Sequence, residues 1–401
     1  MHGRTVKDFL TLRLKKGARL LLGLSGGPDS MTLLHLLLEA KKTLDFSLHL
    51  AHIDHGWRGE SEQQGQVLRN LAKHLNLPFH LRRLDKMEGG DLENRAREKR
   101  LTFFSELQEK YRFQALLLAH HQGDQAETVF KRVAEGSGIK GLGGLYPERK
   151  WGNLLIWRPL LPFVKQELYS YLEKKRLRFF EDSTNRDPAH LRCRMRQTLF
   201  PQLEKIFGKK MEGNFARLGH VCQELARYFE RKGEAIKQTV VSGPFGSYLD
   251  LNAGFHPLEV KFFLKELASI SYDDLEVLMR LIERRRSSRL IHARPYTFQL
   301  SRSYLFMYKE AFPDYFQRPE IWERAIPGDW KTFWQGKIQM PSGDYEMKRL
   351  SELEPSVRRK LKKRYGSSRV PSFFYDKAPI FIRDRKIIGE CLTGKFSLPI
   401  I

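Results

Sequence analysis

Leu21-Leu22-Gly23-Leu24-Ser25-Gly26-Gly27-Pro28-Asp29-Ser30 is the stretch that decides how this chain is read. An apolar run, Leu20 to Leu24, stops at Ser25, and an amphipathic segment, Met31 to Lys42, follows the turn at once. The pattern is a buried strand, a tight glycine turn, and a helix with Pro28, Asp29 and Ser30 in its first turn. Two glycines let amide N–H groups converge, and the helix N-terminus adds its positive end, so the turn invites an anion. No lysine follows the last glycine, which separates this loop from the G-x-x-x-x-G-K-[ST] pattern. Ser25 and Ser30 offer hydroxyl donors instead. A carboxylate such as Asp29 beside a phosphate is repulsive unless a divalent cation lies between them, and that suggests Mg²⁺. A surface turn that needs glycine only for its shape would account for an isolated S-G-G, but not for six residues in strand–turn–helix order.

The string is similar to the S-G-G-x-D-S signature of the PP-loop ATP pyrophosphatases. That resemblance implies ATP on Ser25, Gly26, Gly27, Pro28, Asp29 and Ser30. It also implies cleavage of ATP to AMP and pyrophosphate, the adenylyl group activating a carbonyl-type oxygen.

Charge is the second strong signal. Lysine and arginine number 71 against 47 acidic residues, a formal net charge of +24. Bursts recur at Arg95, Arg97, Lys99, Arg100; at Arg192, Arg194, Arg196; at Arg284, Arg285, Arg286, Arg289; and from Arg358 to Arg364. A solvated soluble face is the plain alternative, but basicity this large and this distributed favours a nucleic-acid partner through counterion release. Three cysteines, Cys193, Cys222 and Cys391, stand far apart with no C-x-x-C pair. They argue against a disulfide framework and against a zinc or iron–sulfur site. No apolar run approaches a membrane span, and Met1 to Gly17 is charged, without the apolar core of a signal peptide. The expectation is a reduced, cytoplasmic protein with no membrane partner.

Strand-like apolar runs at Leu20–Leu24, Leu48–Ile53, Phe79–Leu84, Ala115–Ala119 and Leu154–Trp157 alternate with helical patterns at Met31–Lys42, Gln63–Leu75, Leu92–Lys110 and Gln125–Ala134. Such alternation predicts βαβ units, a parallel sheet and an α/β fold. Ligands would bind beyond the strands' carboxyl ends, where Ser25 and His52 fall. After Phe207 helical patterns dominate, at Met211–Lys237, His256–Ser269 and Asp273–Arg286. Pro244–Gly246 and Asp250–Gly254 read as connecting turns. Aromatic-rich runs at Thr297–Leu300, Leu305–Tyr308 and Ile380–Ile382 follow. The expected domains are an N-terminal parallel-sheet domain over 1–208, a helical domain over 209–296 and a small α+β domain over 319–401.

Further polar clusters stand at strand ends. His52, Asp54 and His55 could touch a nucleotide or order a cation, or form a polar turn. Arg97 and Arg100, three apart, share a helix face and could meet one phosphate. His120, Asp124 and Glu127 fall on one face after the fourth strand, an arrangement suited to a metal-binding carboxylate or to a histidine polarising a leaving phosphate. Gly136-Ser137-Gly138-Ile139-Lys140-Gly141 matches G-x-G-x-x-G but follows a charged helix rather than a strand. It reads as a flexible loop over 136–144, with Lys140 able to reach a phosphate.

In order, these strings resemble the tRNA(Ile)-lysidine synthetases. The match runs through Ser25–Ser30, Asp54-His55-Gly56-Trp57-Arg58, Ala96-Arg97-Glu98-Lys99-Arg100, the stretch from His120 to Thr128, Gly136 to Leu142, Arg158-Pro159-Leu160-Leu161 and Glu181-Asp182-Ser183-Thr184-Asn185. It is dense over the first half and looser in the helical middle and at Val370-Pro371. The resemblance implies a tRNA(Ile) substrate with a CAU anticodon, L-lysine, ATP and Mg²⁺, and a homodimer. It places Mg²⁺ on Asp29 and Asp124 and charge stabilisation on Arg97, Arg100 and His120. His52 would touch nucleotide, and Lys140, Arg192, Arg194 and Arg196 would contact RNA. The chain departs from the family at Arg192-Cys193-Arg194-Met195-Arg196, where Arg-Asn-x-x-Arg is usual, which puts one local hydrogen bond in doubt. Trp57 stands where a smaller apolar residue is expected, at a turn that should tolerate it.

Two rivals remain. A tRNA thiolase of the same superfamily would want a cysteine near the glycine turn, and none precedes Cys193. A non-catalytic basic RNA-binding protein would have no need of Asp29, Asp124, His120 and Arg100 together. No pattern selects the residues that hold lysine.

Overall fold

The structure, a computed structural model, describes residues 2–54, 60–84, 92–180, 191–284, 290–308, 314–324 and 328–394. His55 to Arg58, Glu181 to Asn185, and Arg285, Arg286 and Arg289 lie outside the described residues. The chain divides into two compact units, Met1–Ala226 and Arg227–Ile401.

In the first unit the elements run α1 (His2–Thr11), β1 (Ala18–Gly23), α2 (Pro28–Lys41), β2 (Phe46–Asp54), α3 (Glu60–His74), β3 (Phe79–Arg83), α4 (Leu92–Tyr111), β4 (Ala115–Leu117), α5 (Gln122–Ala134), α6 (Ile139–Leu142), β5 (Glu148–Trp151), β6 (Leu154–Trp157) and α7 (Lys165–Lys174). Then come α8 (Leu191–Arg194), a π-helical turn (Met195–Leu199), α9 (Phe200–Phe207) and the long α10 (Glu212–Thr239), which continues past the unit's end. The sheet order is β3-β2-β1-β4-β6-β5, parallel except for the antiparallel edge strand β5. Strand β1 is covered on both faces. Leu20 and Leu22 pack in one apolar cluster with Leu33, Leu34, Leu36 and Leu37 of α2, whereas Leu21 packs in another with Phe103 and Phe104 of α4. That is why β1 reads as an unbroken apolar run. Each fully buried leucine contributes roughly 2 kcal/mol. The order reverses at β1, whose neighbours are β2 on one side and β4 on the other, so the crevice between the carboxyl ends of β1 and β4 is the topological switch point.

The second unit holds a five-stranded sheet, β7-β8-β11-β10-β9, from β7 (Val241–Gly243), β8 (Gly246–Asp250), β9 (Ile291–Ala293), β10 (Tyr296–Ser301) and β11 (Tyr304–Tyr308). Helices α11 (Pro257–Leu267) and α12 (Tyr272–Glu283) share its apolar cluster, in which Leu264, Leu278, Leu249 and Phe298 are fully buried. The residues around Pro244 thus form the turn of a β-hairpin inside the expected helical stretch, its strands too short to show an alternating pattern. The remainder comprises β12 (Glu323–Arg324), α13 (Trp330–Trp334), β13 (Lys337–Ile338), β14 (Glu346–Lys348), the basic α14 (Pro355–Ser367), β15 (Ile380–Arg383) and β16 (Lys386–Glu390) around an aromatic core that includes Trp334, Phe374 and Phe381. The segment read as a flexible loop at 136–144 contains the helical turn α6. No helix among the described residues is long and apolar enough to cross a membrane.

Candidate active site

At the β1/β4 crevice lies a cavity of about 620 Å³ lined by Ser25, Gly27, Pro28, Asp29, Ser30, Arg100, His120, Asp124, Lys165, Tyr169, Phe180, Arg196 and Gln197, among others. Its floor is the glycine turn. The Gly26 amide donates to Ser30 Oγ at 3.1 Å, the Gly27 amide donates to Ser25 Oγ at 3.3 Å, and Ser30 Oγ donates to the Gly27 carbonyl at 3.0 Å. Gly26 has φ of +85°, and a Cβ there would sit 2.5 Å from Phe180 Cδ2, so any other residue would be strained and would displace that ring. The Phe180 amide closes the turn by donating to the Gly26 carbonyl at 2.9 Å. Gly27 is the N-cap of α2 and supplies no side-chain cap, which leaves a helix N-terminus open for an anion.

Across the crevice, α5 begins differently. His121 is its N-cap: Nδ1 accepts from the Gly123 amide at 3.0 Å, and the His121 amide donates to Asp124 Oδ2 at 2.9 Å. With Nδ1 accepting, a neutral His121 ring carries its proton on Nε2. That nitrogen lies 3.8 Å from Asp29 Oδ2 and 3.7 Å from Asp124 Oδ2, between the two carboxylates. Burial pushes the Asp29 carboxyl above its usual range, with His121 opposing and Asp124 reinforcing the rise. Burial acts on Asp124 in the same sense but is outweighed by His121, His120, the His121 amide and Arg196, so its carboxyl falls below the usual range.

Arg196, on the π-helical turn, pairs with Glu127 through Nε and with Asp124 through Nη2 at 3.0 Å. Burial lowers the guanidinium's pKa, but the bond to Glu127 and the surrounding carboxylates raise it further. Glu127 is itself pushed up by burial. Arg158, on the segment after β6, donates from Nε to His120 Nδ1 at 3.0 Å. Burial drives His120 down to about 3, with Asp124 opposing and Arg158, Arg192 and Arg100 assisting. With Nδ1 accepting from Arg158, a neutral His120 ring carries its proton on Nε2. His120 lines the same cavity as Arg100, as the sequence reading expected, and its Nδ1 is occupied by Arg158.

Ser25, Gly27, Pro28, Asp29, Ser30, Arg100, His120, Asp124 and Arg196 thus meet in one cavity, with Gly26 shaping its floor. His52 does not line it; that ring is buried, with Nδ1 bonded to the Leu24 carbonyl at 2.8 Å, and burial lowers its pKa. Arg97 and Arg192 stand outside the lining, although Arg192 lies close enough to act on His120. Lys140 sits on α6 and Arg194 on α8, also outside it. Sequence reading missed Lys165 and Tyr169 of α7; Glu167 accepts from the Val164 amide at 3.1 Å, but with valine at the N-cap no S/T-x-x-E signature marks the helix start. Among the described residues no group of three or more His, Cys, Asp and Glu side chains is arranged to hold a metal ion. All three cysteines are buried, which leaves no exposed thiolate for thiolase chemistry.

Residues 2–203 match the PP-loop domain family. A protein of Protochlamydia amoebophila (strain UWE25) named tRNA(Ile)-lysidine synthase is 32% identical over 97% of this chain and 92% of its own length. One of the same name from Chlamydia pneumoniae is 39% identical over 56% of this chain and 70% of its own length. Among solved structures, the U34-tRNA thiolase NcsA from Methanococcus maripaludis with its [4Fe-4S] cluster superposes at a TM-score of 0.47 and 17% identity, covering 55% of this chain and 78% of that one.

Proposed function

The chain belongs to the tRNA(Ile)-lysidine synthase family, and from that premise we propose that it joins L-lysine to the wobble cytidine of a tRNA(Ile) with a CAU anticodon. ATP is the activating substrate. The Ser25–Ser30 turn grips the triphosphate with its amides, its hydroxyls and the open start of α2. The cytidine carbonyl oxygen attacks the α-phosphorus; an O–P bond forms as pyrophosphate leaves. Lysine's amine then displaces AMP from the adenylated base, forming lysidine. The product pairs with A rather than G, changing codon reading from AUG to AUA and charging from methionine to isoleucine.

Arg97 and Arg100 offset charge as it develops on the phosphate oxygens, and neutral His120 donates a hydrogen bond from Nε2. Asp29 and Asp124 are the residues that would hold Mg²⁺. Bound there, the ion would neutralise triphosphate oxygens and so favour attack at phosphorus. The fit is supported by Asp29 Oδ1, a buried oxygen with no hydrogen-bond partner among the described residues. Two carboxylates completed by phosphate oxygens also form a ligand set that Mg²⁺ takes. Lys140, Arg192 and Arg194 are proposed RNA contacts. Arg196 joins them through Nη1, since its pairing with Asp124 and Glu127 uses Nε and Nη2. His52 acts on nucleotide only indirectly, by bracing Leu24 beneath the turn. The proposed division is catalysis in 1–208, tRNA contacts in 209–296 and 319–401, in a cytoplasmic homodimer.

The observation that carries this reading is the convergence of Asp29, Arg100, His120 and Asp124 on one cavity beside the diglycine turn. Incubation with labelled lysine, ATP and total tRNA should label one isoleucine tRNA. Asp29→Ala should lower that incorporation by about 10³-fold. Unchanged labelling by this variant would refute the metal role.

A further inference from the structure

Helix α10 reaches the active-site end of the first unit through one buried side chain. Gln223, 3% exposed, donates both protons of its amide nitrogen, to the Gly143 carbonyl at 2.6 Å and to the Leu145 carbonyl at 2.8 Å. Gln125 of α5, 4% exposed, meets the same segment: its Nε2 donates to the Gly143 carbonyl at 2.9 Å, and its Oε1 accepts from the Leu145 amide at 2.6 Å. The Gly143 carbonyl thus accepts two bonds, and both Gln223 protons are placed. Four bonds converging on one short segment favour a single geometry.

The packing leaves no slack around it. A Cβ on Gly144, whose φ is +65°, would lie 2.7 Å from Gln125 Oε1, and one on Gly219 of α10 would collide with Gln125 Nε2. The clasp is therefore built from glycines as much as from glutamines. Immediately downstream, the Tyr146 hydroxyl donates to the Lys140 carbonyl at 3.3 Å and staples the base of α6. The Tyr146 carbonyl accepts from Arg158 Nη1 at 2.8 Å, and the Pro147 carbonyl accepts from the Arg158 amide at 2.8 Å. Arg158 Nε then donates to His120 Nδ1. Hydrogen bonds, linked by the backbone between Leu145 and Tyr146, thus join Gln223 to the histidine of the cavity.

We propose that Gln223 is a positioning residue for adenylyl transfer: with Gln125 it fixes the 143–146 segment, and through Arg158 it holds His120 in the orientation and tautomer that present Nε2–H to the reacting phosphate. The proposal rests on the ATP-dependent reading above. Gln223 does not touch substrate; it acts by setting where Arg158 sits. Because the Ser25–Ser30 turn is built separately, loss of the clasp should affect the chemical step and spare ATP binding.

Gln223→Met keeps side-chain length and removes both donors. Pyrophosphate release from ATP, driven by a tRNA(Ile) CAU transcript, should show kcat lowered by about 10- to 100-fold and KM for ATP within about twofold, with a melting temperature lowered by only a few degrees. An unchanged kcat overturns the positioning role. So does a fall in kcat accompanied by a matching loss of ATP affinity, which is the signature of a merely structural residue. Wild-type protein that releases no pyrophosphate would overturn the underlying reaction instead, so the two failures are told apart. Amide exchange on the wild type gives a readout that needs no variant: the Leu145 amide, held by Gln125, should be protected, and exchange at the rate of open loop amides would remove the clasp from consideration.

Discussion

The first unit contains two strand-to-helix turns that face each other across one crevice, and they solve the same problem in opposite ways. At β1–α2 the N-cap is Gly27, with no side-chain cap. At β4–α5 the N-cap is His121, which accepts from Gly123 while Asp124 accepts from His121 in return. Both helices must satisfy first-turn amides. Helix α5 does so with its own side chains, the buried His121 and Asp124. Helix α2 leaves the task to an incoming anion. The lesson is that a cap can be withheld as well as supplied, and that withholding it makes a ligand site. The two first-turn aspartates follow suit: Asp124, bonded to its cap, is lowered, and Asp29 is raised by burial.

The largest expected effect tests the open turn. Gly26→Ala forces a Cβ onto Phe180 at a positive φ, a strain that costs on the order of 3 kcal/mol or displaces the ring. ATP affinity, measured by calorimetry, should fall about 100-fold or more. Gly27→Ala adds a methyl group at a φ of −72°, without that backbone strain, so its loss should be the smaller of the two. Equal losses in the two variants would mean that the turn's shape is not what binds nucleotide.

A second substitution turns one helix start into the other. Gly27→Asp gives α2 the cap it lacks, and the new carboxylate would accept from the amides proposed for the phosphate. Folding stability should hold or rise by a few tenths of a kcal/mol, while ATP affinity drops by about tenfold or more through competition and like charge. Retained ATP affinity would put the anion somewhere other than the start of α2.

Much of this contrast was legible before any coordinates. Leu20 to Leu24 had to be a doubly covered strand because nothing polar interrupts it, and Ser25 to Ser30 had to be its turn. The pairing of His120 and Asp124 with that turn followed from the expectation of a parallel sheet with ligands at strand ends. Other features carried no local signal. Strand β5 is exposed at every position, so it shows no alternation. Helix α7 is short and mostly polar, which hid Lys165 and Tyr169. Arg196 reads in sequence as one of a basic burst; its bonds to Asp124 and Glu127 span some seventy residues and exist only once the chain is folded. The sequence places His120 at a strand end but gives no sign of Arg158, whose Nε occupies its Nδ1 from a segment 38 residues away. Periodicity reports burial on one element, and these are properties of two elements meeting.

The smallest effect separates the two aspartates by acid titration, in the absence of nucleotide and divalent cation. Asp29 has a folded-state pKa above the unfolded 3.8, so its ionised form destabilises the fold at neutral pH. That penalty fades as pH falls through the raised value and is gone below 3.8. Asp29→Asn should therefore raise the melting temperature at pH 7, and the gain should vanish as the unfolded pKa is approached. Asp124 is depressed below 3.8, so its charge stabilises the fold at every pH above the unfolded value, and that contribution is lost only as pH falls on through the folded one. Asp124→Asn should lower the melting temperature at pH 7, and the deficit should persist until the solution is more acid than pH 3.8. Activity should collapse in both variants, so the more stable protein would be the inactive Asp29→Asn, as expected where a buried charge is kept for its ligand rather than for the fold. Parallel titration curves for the two variants would erase the distinction between a turn that caps itself and one that waits for an anion.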